Sequence, residues 1–196
     1  MSSQNTPFDE EQGSILLKLA RHTICKKLGL QVDKAEDRSL SQALQDEAFN
    51  VRTGTFVTLH IGKQLRGCIG SLRGSESVRD GIKDNAVCAA FHDSRFQPLT
   101  VEEYEKIAID ISILSTPQPL AYSDSHDLLA KLRPQVDGVT IRMGPNGATF
   151  LPQVWEQLPH PEDFLTRLCM KAGLAGDIWR REQLAVETYQ VQHFSE

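Results

Sequence analysis

Apolar positions recur along this chain at two spacings, one helical and one alternating. Ile15, Leu16, Leu19, Ile24 and Leu28 form a helical stripe, and Gly29 stands where that helix should end. Its start is read at Thr6-Pro7, a cap residue followed by proline, with Asp9 and Glu10 in the first turn. Cys25 lies beside the stripe and is assigned to the core. Val78, Ile82, Ala86, Ala89 and Ala90 predict a helix over residues 77–92, whose small residues suit close packing on a sheet. Phe164, Leu165, Leu168 and Cys169 face inward on a third helix, begun by Pro161 and ended near Gly173. Shorter helices are predicted after the capping box Thr100-Val101-Glu102-Glu103, over residues 41–49 and over residues 124–132. The charged stretch 31–41 reads as loop.

The alternating spacing marks strands. Ile107, Ile109, Ile111 and Ile113 alternate with more polar positions, a strand buried on one face. Residues 55–61 and 65–72 are β-rich runs around Gly62-Lys63-Gln64, and read as a hairpin. Residues 139–143 and 148–151 form a second hairpin around Gly144-Pro145-Asn146-Gly147. Thr116-Pro117-Gln118-Pro119 reads as a break, and residues 186–194 as one final strand. Pro152 ends a strand or sits at an edge, and Trp155 is read as core. Helices mixed with hairpins argue an α+β fold, a mostly antiparallel sheet flanked by helices.

Register sharpens the first hairpin. A three-residue loop pairs Ile61 with Leu65, Leu59 with Gly67 and Val57 with Ile69, which keeps one face apolar. The other face then holds His60 opposite Arg66 and Thr58 opposite Cys68. A two-residue loop mixes the faces. On this reading Arg66 and Cys68 point the same way, and a fixed cation beside a thiol favours the thiolate. Gly67 and Gly70 weaken a strand and call for close approach of a ligand or of another backbone. The competing reading makes Cys68 a small core residue beside a bulge.

Composition narrows the setting. The chain has 196 residues, enough for one domain with a sizeable core, and is 40% hydrophobic and 24% charged. Its net charge of −5, with pI near 5.7, argues against generic nucleic-acid or anionic-membrane binding. No apolar run approaches the ~20 residues that span a bilayer. Met1-Ser2-Ser3-Gln4-Asn5 resembles no signal peptide, so a cytoplasmic protein is expected. Four widely spaced cysteines, Cys25, Cys68, Cys88 and Cys169, give no Cys-x-x-Cys pair, and are expected as thiols. No metal-ligand spacing and no glycine-rich phosphate loop appear, so no metal or cofactor is expected.

The hexapeptide Leu65-Arg66-Gly67-Cys68-Ile69-Gly70 resembles the signature of the AMMECR domain family, the A protein of the AmmeMemoRadiSam system. Further matches follow in order at residues 54–59, 93–99, 138–142, 150–156 and 171–174. The resemblance covers residues 8–194 as a single AMMECR-type domain. It implies an α+β body, a smaller second lobe and a cleft between them. It also implies Memo-type and radical SAM-type partners, with any iron–sulfur cluster on the partner. Asp93, Arg95 and Phe96 match a family motif, whereas His92 does not.

Two functions follow. In the first, an accessory or enzymatic component of a modification pathway uses Cys68 as nucleophile, with Arg66, Gly67, Gly70, His60, Asp93 and Arg95 binding the ligand. In the second, the same residues form a non-catalytic module for a protein segment or small ligand. RNA binding is weaker still, because no aromatic and basic platform is interleaved along the chain.

Overall fold

Helix α1 (Glu10–Lys27) begins at Asp9, whose carboxylate accepts the Gln12 N–H while the Gln12 side chain accepts the Asp9 N–H. The structure, a computed structural model, describes residues 8–196. Thr6 and Pro7, read from sequence as the helix start, and Met1–Asn5 lie outside the described residues. Asp9 performs the capping, so the helix starts later than expected.

A second correction concerns residues 31–49. Helix α2 (Lys34–Ala43) occupies the expected loop, capped by Asp33, and only a single 3-10 turn (Glu47–Asn50) follows it. Leu40 is the sole buried residue of α2 and the segment is polar on average, so its charged residues read as loop. The remaining helices lie near their expected places: α3 (Val78–Phe91, capped by Ser77), α4 (Val101–Tyr104, with the Thr100/Glu103 capping box), α5 (Ser125–Lys131, capped by Asp124) and α6 (Pro161–Lys171).

The strands fall into two antiparallel sheets, and the chain divides into two units. The first unit runs to Leu114 and takes back Gln192–Glu196. Its sheet has β1 (Thr55–Ile61) between β2 (Gln64–Ser71) and β3 (Ile107–Leu114), with β8 (Val191–Ser195) beyond β3. Val57, Leu59, Ile109 and Ile111 cover one face and pack against the stripes of α1 and α3. Burying each such side chain contributes about 1.5–3 kcal/mol.

The second unit is Ser115–Val191. Its sheet has the order β4 (Gln118–Pro119), β7 (Ala185–Tyr189), β5 (Gly138–Met143), β6 (Asn146–Phe150). The core gathers Val139, Ile141, Val186, Leu128, Leu168 and Trp179 around Trp155, whose ring stacks on Phe164 at 3.7 Å. The indole N–H of Trp155 donates to the Asp137 carbonyl at 2.7 Å. The edge strand β6 stops at Phe150, in keeping with Pro152 as a strand end, and Pro152–Glu156 follows as a 3-10 turn.

Two further expectations change here. Gln118-Pro119 is a short edge strand, not only a break; its proline sits where a ladder donor is dispensable. The expected strand 186–194 is two strands, β7 in the second sheet and β8 in the first, divided at Gln190. Alternation of apolar residues is compatible with either, because a strand can change sheets without changing its period.

Candidate functional site

The first hairpin sets the site. Ile61 pairs with Gln64, so the loop is the two-residue Gly62-Lys63, with Gly62 at φ +59°. By itself that loop would mix the two faces. The ladder shifts between Leu59 and His60: His60 pairs with Leu65, Leu59 with Gly67 and Thr58 with Cys68. Arg66 is the extra residue of a β-bulge, which restores the alternation that the short loop had inverted. The expected pairing of His60 with Arg66 is therefore corrected. Cys68 still lies beside Thr58, on the face turned away from the core, and Thr58 Oγ1 donates to Cys68 Sγ at 3.3 Å.

The bulge re-aims Arg66. Its side chain is only 11% exposed and forks onto Glu103 of α4, with Nε to Oε1 at 2.8 Å and Nη2 to Oε2 at 2.9 Å. Nη2 also donates to the Gln97 carbonyl at 2.8 Å. Arg66 Nη1 is buried with no hydrogen-bond partner among the described residues. The Arg66 guanidinium, and then the Thr100 N–H, hold the Glu103 carboxyl down at about 2.

Strand β2 is an edge of its sheet, so at Cys68 the backbone polar groups face away from β1. The loop after α3 closes that edge with side chains. Asp93 Oδ2 accepts the Cys68 N–H at 2.9 Å, and Arg95 Nη2 donates to the Cys68 carbonyl at 3.2 Å. Arg95 in turn forks onto Asp93, at 2.9 and 2.7 Å. Asp93 is 5% exposed, and the Arg95 guanidinium holds its carboxyl well below the usual carboxylate range. Asp93 correspondingly raises Arg95. The Phe96 ring lies 5.7 Å from the Arg66 guanidinium and 5.5 Å from that of Arg95.

Arg66, Cys68, Asp93 and Arg95 thus belong to one assembly, with both cations compensated by carboxylates. His60 lies on the Cys68 face but turns to Asp110 on β3, Nε2 to Oδ2 at 3.5 Å. The two glycines make room for protein. A Cβ on Gly67 would stand 2.2 Å from the Ala89 carbonyl of α3, and one on Gly70 would stand 2.3 Å from the Phe56 ring. His92 ends α3, exposed, and Glu47 is exposed. Sequence reasoning missed Glu103 and Asp110 as partners. Glu103 was visible only as half of a capping box; its second role needs the fold. Among the described residues no group of three or more His, Cys, Asp or Glu is placed to hold a metal ion, and no helix is long and apolar enough to cross a membrane.

Chemically, this surface offers a half-buried thiol on a clamped strand, a hydroxyl donor to its sulfur, and a nearby imidazole–carboxylate pair. The AMMECR1 family model matches residues 17–194. A protein of Methanothermobacter thermautotrophicus is 34% identical over 195 residues, 97% of each chain. One of Methanocaldococcus jannaschii is 35% identical over 157 residues, 76% of each chain. The crystal structure of protein PH0010 from Pyrococcus horikoshii superposes with a TM-score of 0.75 at 28% identity, covering 97% of this chain and 94% of that one.

Proposed function

This chain belongs to the AMMECR1 family, and on that premise we propose that it is an accessory or enzymatic component of a modification pathway, with Cys68 as its reacting group. In this reading it acts with Memo-type and radical SAM-type partner proteins in the cytoplasm. The observation that carries it is the immobilisation of Cys68: Asp93 and Arg95 hold its N–H and carbonyl, and Thr58 donates to its sulfur. A nucleophile gains most when its geometry is set before the substrate arrives. The His60–Asp110 pair offers an acceptor for the thiol proton on the same face, and the Thr58 hydroxyl donates to the anionic sulfur so formed before it attacks an electrophile.

One observation favours a second reading, a binding module without chemistry. Both arginines are spent on carboxylates, so neither is free to hold a substrate anion without first giving up its partner. Competing alkylation of the native protein at neutral pH, read by mass spectrometry, decides between the two. Cys25 and Cys169 are buried and should label last; Cys88, half-buried like Cys68, is the internal comparison. The catalytic reading expects Cys68 to label first, and Thr58→Val to slow Cys68 while leaving Cys88 unchanged. Labelling of Cys68 no faster than Cys88 would hand the lead to the binding module.

A further inference from the structure

The second unit carries a cavity of about 400 Å³, formed entirely by its own residues. Its floor is β7, where Ala185 is exposed and too small to fill the space beside it. One wall is the segment after β4. The Leu120 N–H donates to the Val186 carbonyl at 2.8 Å, and the Tyr122 hydroxyl donates to the Leu184 carbonyl at 3.0 Å while accepting the Leu184 N–H at 2.7 Å. The other wall is β5, where Thr140 pairs with Glu187 and Arg142 with Ala185. Paired residues share a face, so these four side chains leave the same side of the sheet. Val139, Ile141 and Val186 occupy the opposite, buried side.

Arg142 and Glu187 are diagonal neighbours across β5 and β7, within reach for long side chains. The ion pairs of this unit nevertheless use Lys131, Arg133, Arg180 and Arg181. Among the described residues, the side chains of Arg142 and Glu187 have neither an ion-pair nor a hydrogen-bond partner. The Thr140 hydroxyl donates to Thr149 Oγ1 at 2.9 Å, which leaves it able to accept. One cation and one acceptor on the β5 wall and one anion on the β7 floor therefore leave the same side of the sheet, beside the apolar surface of Pro119 and Ala185.

We propose that this cavity binds a zwitterionic α-amino acid with an apolar side chain. The ligand carboxylate meets the Arg142 fork, the ammonium meets Glu187 and the Thr140 oxygen, and the side chain lies against Pro119 and Ala185. An α-amino acid carries its two charges on one carbon, which matches opposite charges at diagonal sheet positions. A plain carboxylate or a plain amine leaves one protein charge unmatched. The volume lies within the range of small-ligand pockets, and the few convergent polar groups among apolar ones are their usual lining. The inference is independent of Cys68, which lies in the other unit.

The test is titration of L-leucine into the isotope-labelled full chain, followed by amide chemical shifts, with isocaproate and isoamylamine as single-charge analogues. Saturable shifts in the millimolar range are expected at Thr140–Arg142 and Ala185–Glu187. Each analogue, and each of the variants Arg142→Met and Glu187→Gln, should bind at least about tenfold more weakly than L-leucine binds the parent. Both side chains lie at the surface, and the same spectra report that the variants remain folded. Absence of saturable shifts at these amides overturns the proposal. So does equal affinity for the three ligands, or unchanged affinity in both variants.

Discussion

Arg66 and Glu103 show how one buried cation disciplines its surroundings. The bulge turns Arg66 inward, and burial of a guanidinium is tolerable only with a partner in good geometry. Glu103→Gln should therefore destabilise the protein by about 3 kcal/mol in urea unfolding, because it leaves that charge uncompensated. The pH dependence follows from the depressed carboxyl. Folding lowers Glu103 from 4.5 to about 2, so the unfolded chain binds the proton more readily and stability rises with pH across that window. The contribution is present above 4.5 and is lost as pH falls toward 2. Wild type should lose stability over this interval more steeply than Glu103→Gln, as compared by chemical denaturation at successive pH values. Asp93, also depressed, adds a loss in the same direction that both proteins share.

At the scale of elements, the approach of α3 to β2 sets what β2 can carry. The Ala89 carbonyl fills the space where a side chain at position 67 would stand. Neither partner is a flexible side chain, so Gly67→Ala must move the helix or the strand. A loss of about 3 kcal/mol is expected, together with faster hydrogen exchange along β2. Arg66 and Cys68 sit on either side of this glycine, so the variant should also disturb the Asp93–Arg95 clamp and blur the difference in labelling between Cys68 and Cys88. The hairpin was legible in its apolar runs, and the Thr58–Cys68 pairing in their alternation. The bulge was not, because a two-residue loop plus one extra residue leaves the same alternation as a three-residue loop. Helix α2 escaped for a different reason: it is polar on average and buries Leu40 alone, so its charges outweigh its periodicity.

Across the whole molecule, two hydrophobic clusters lie one in each unit, and the second unit is a single continuous segment. Its ends are tied together: the Ser115 N–H donates to the Gln190 carbonyl at 2.8 Å, and the Gln190 N–H to Ser115 Oγ at 2.9 Å. A segment with its own core and joined ends has what an independent domain requires. Residues 115–191 expressed alone should therefore melt in one cooperative transition by circular dichroism. A broad, non-cooperative melt would show that this core depends on the rest of the chain.

Local pattern determined much of this protein: the α+β class, the stripes of α1, α3 and α6, the capping box at Thr100, both hairpins and the placing of Thr58 beside Cys68. These depend on side-chain period and on cap and turn chemistry, which act over a few residues. Tertiary structure alone decided the rest. It split residues 186–194 between two sheets, brought Asp93 and Arg95 onto the edge at Cys68, and paired Arg66 with Glu103 and His60 with Asp110. It also left Arg142 and Glu187 unpaired above Ala185. Each of these is a contact between groups distant along the chain or a choice of strand partner, and periodicity constrains which face a residue takes, not what meets it there.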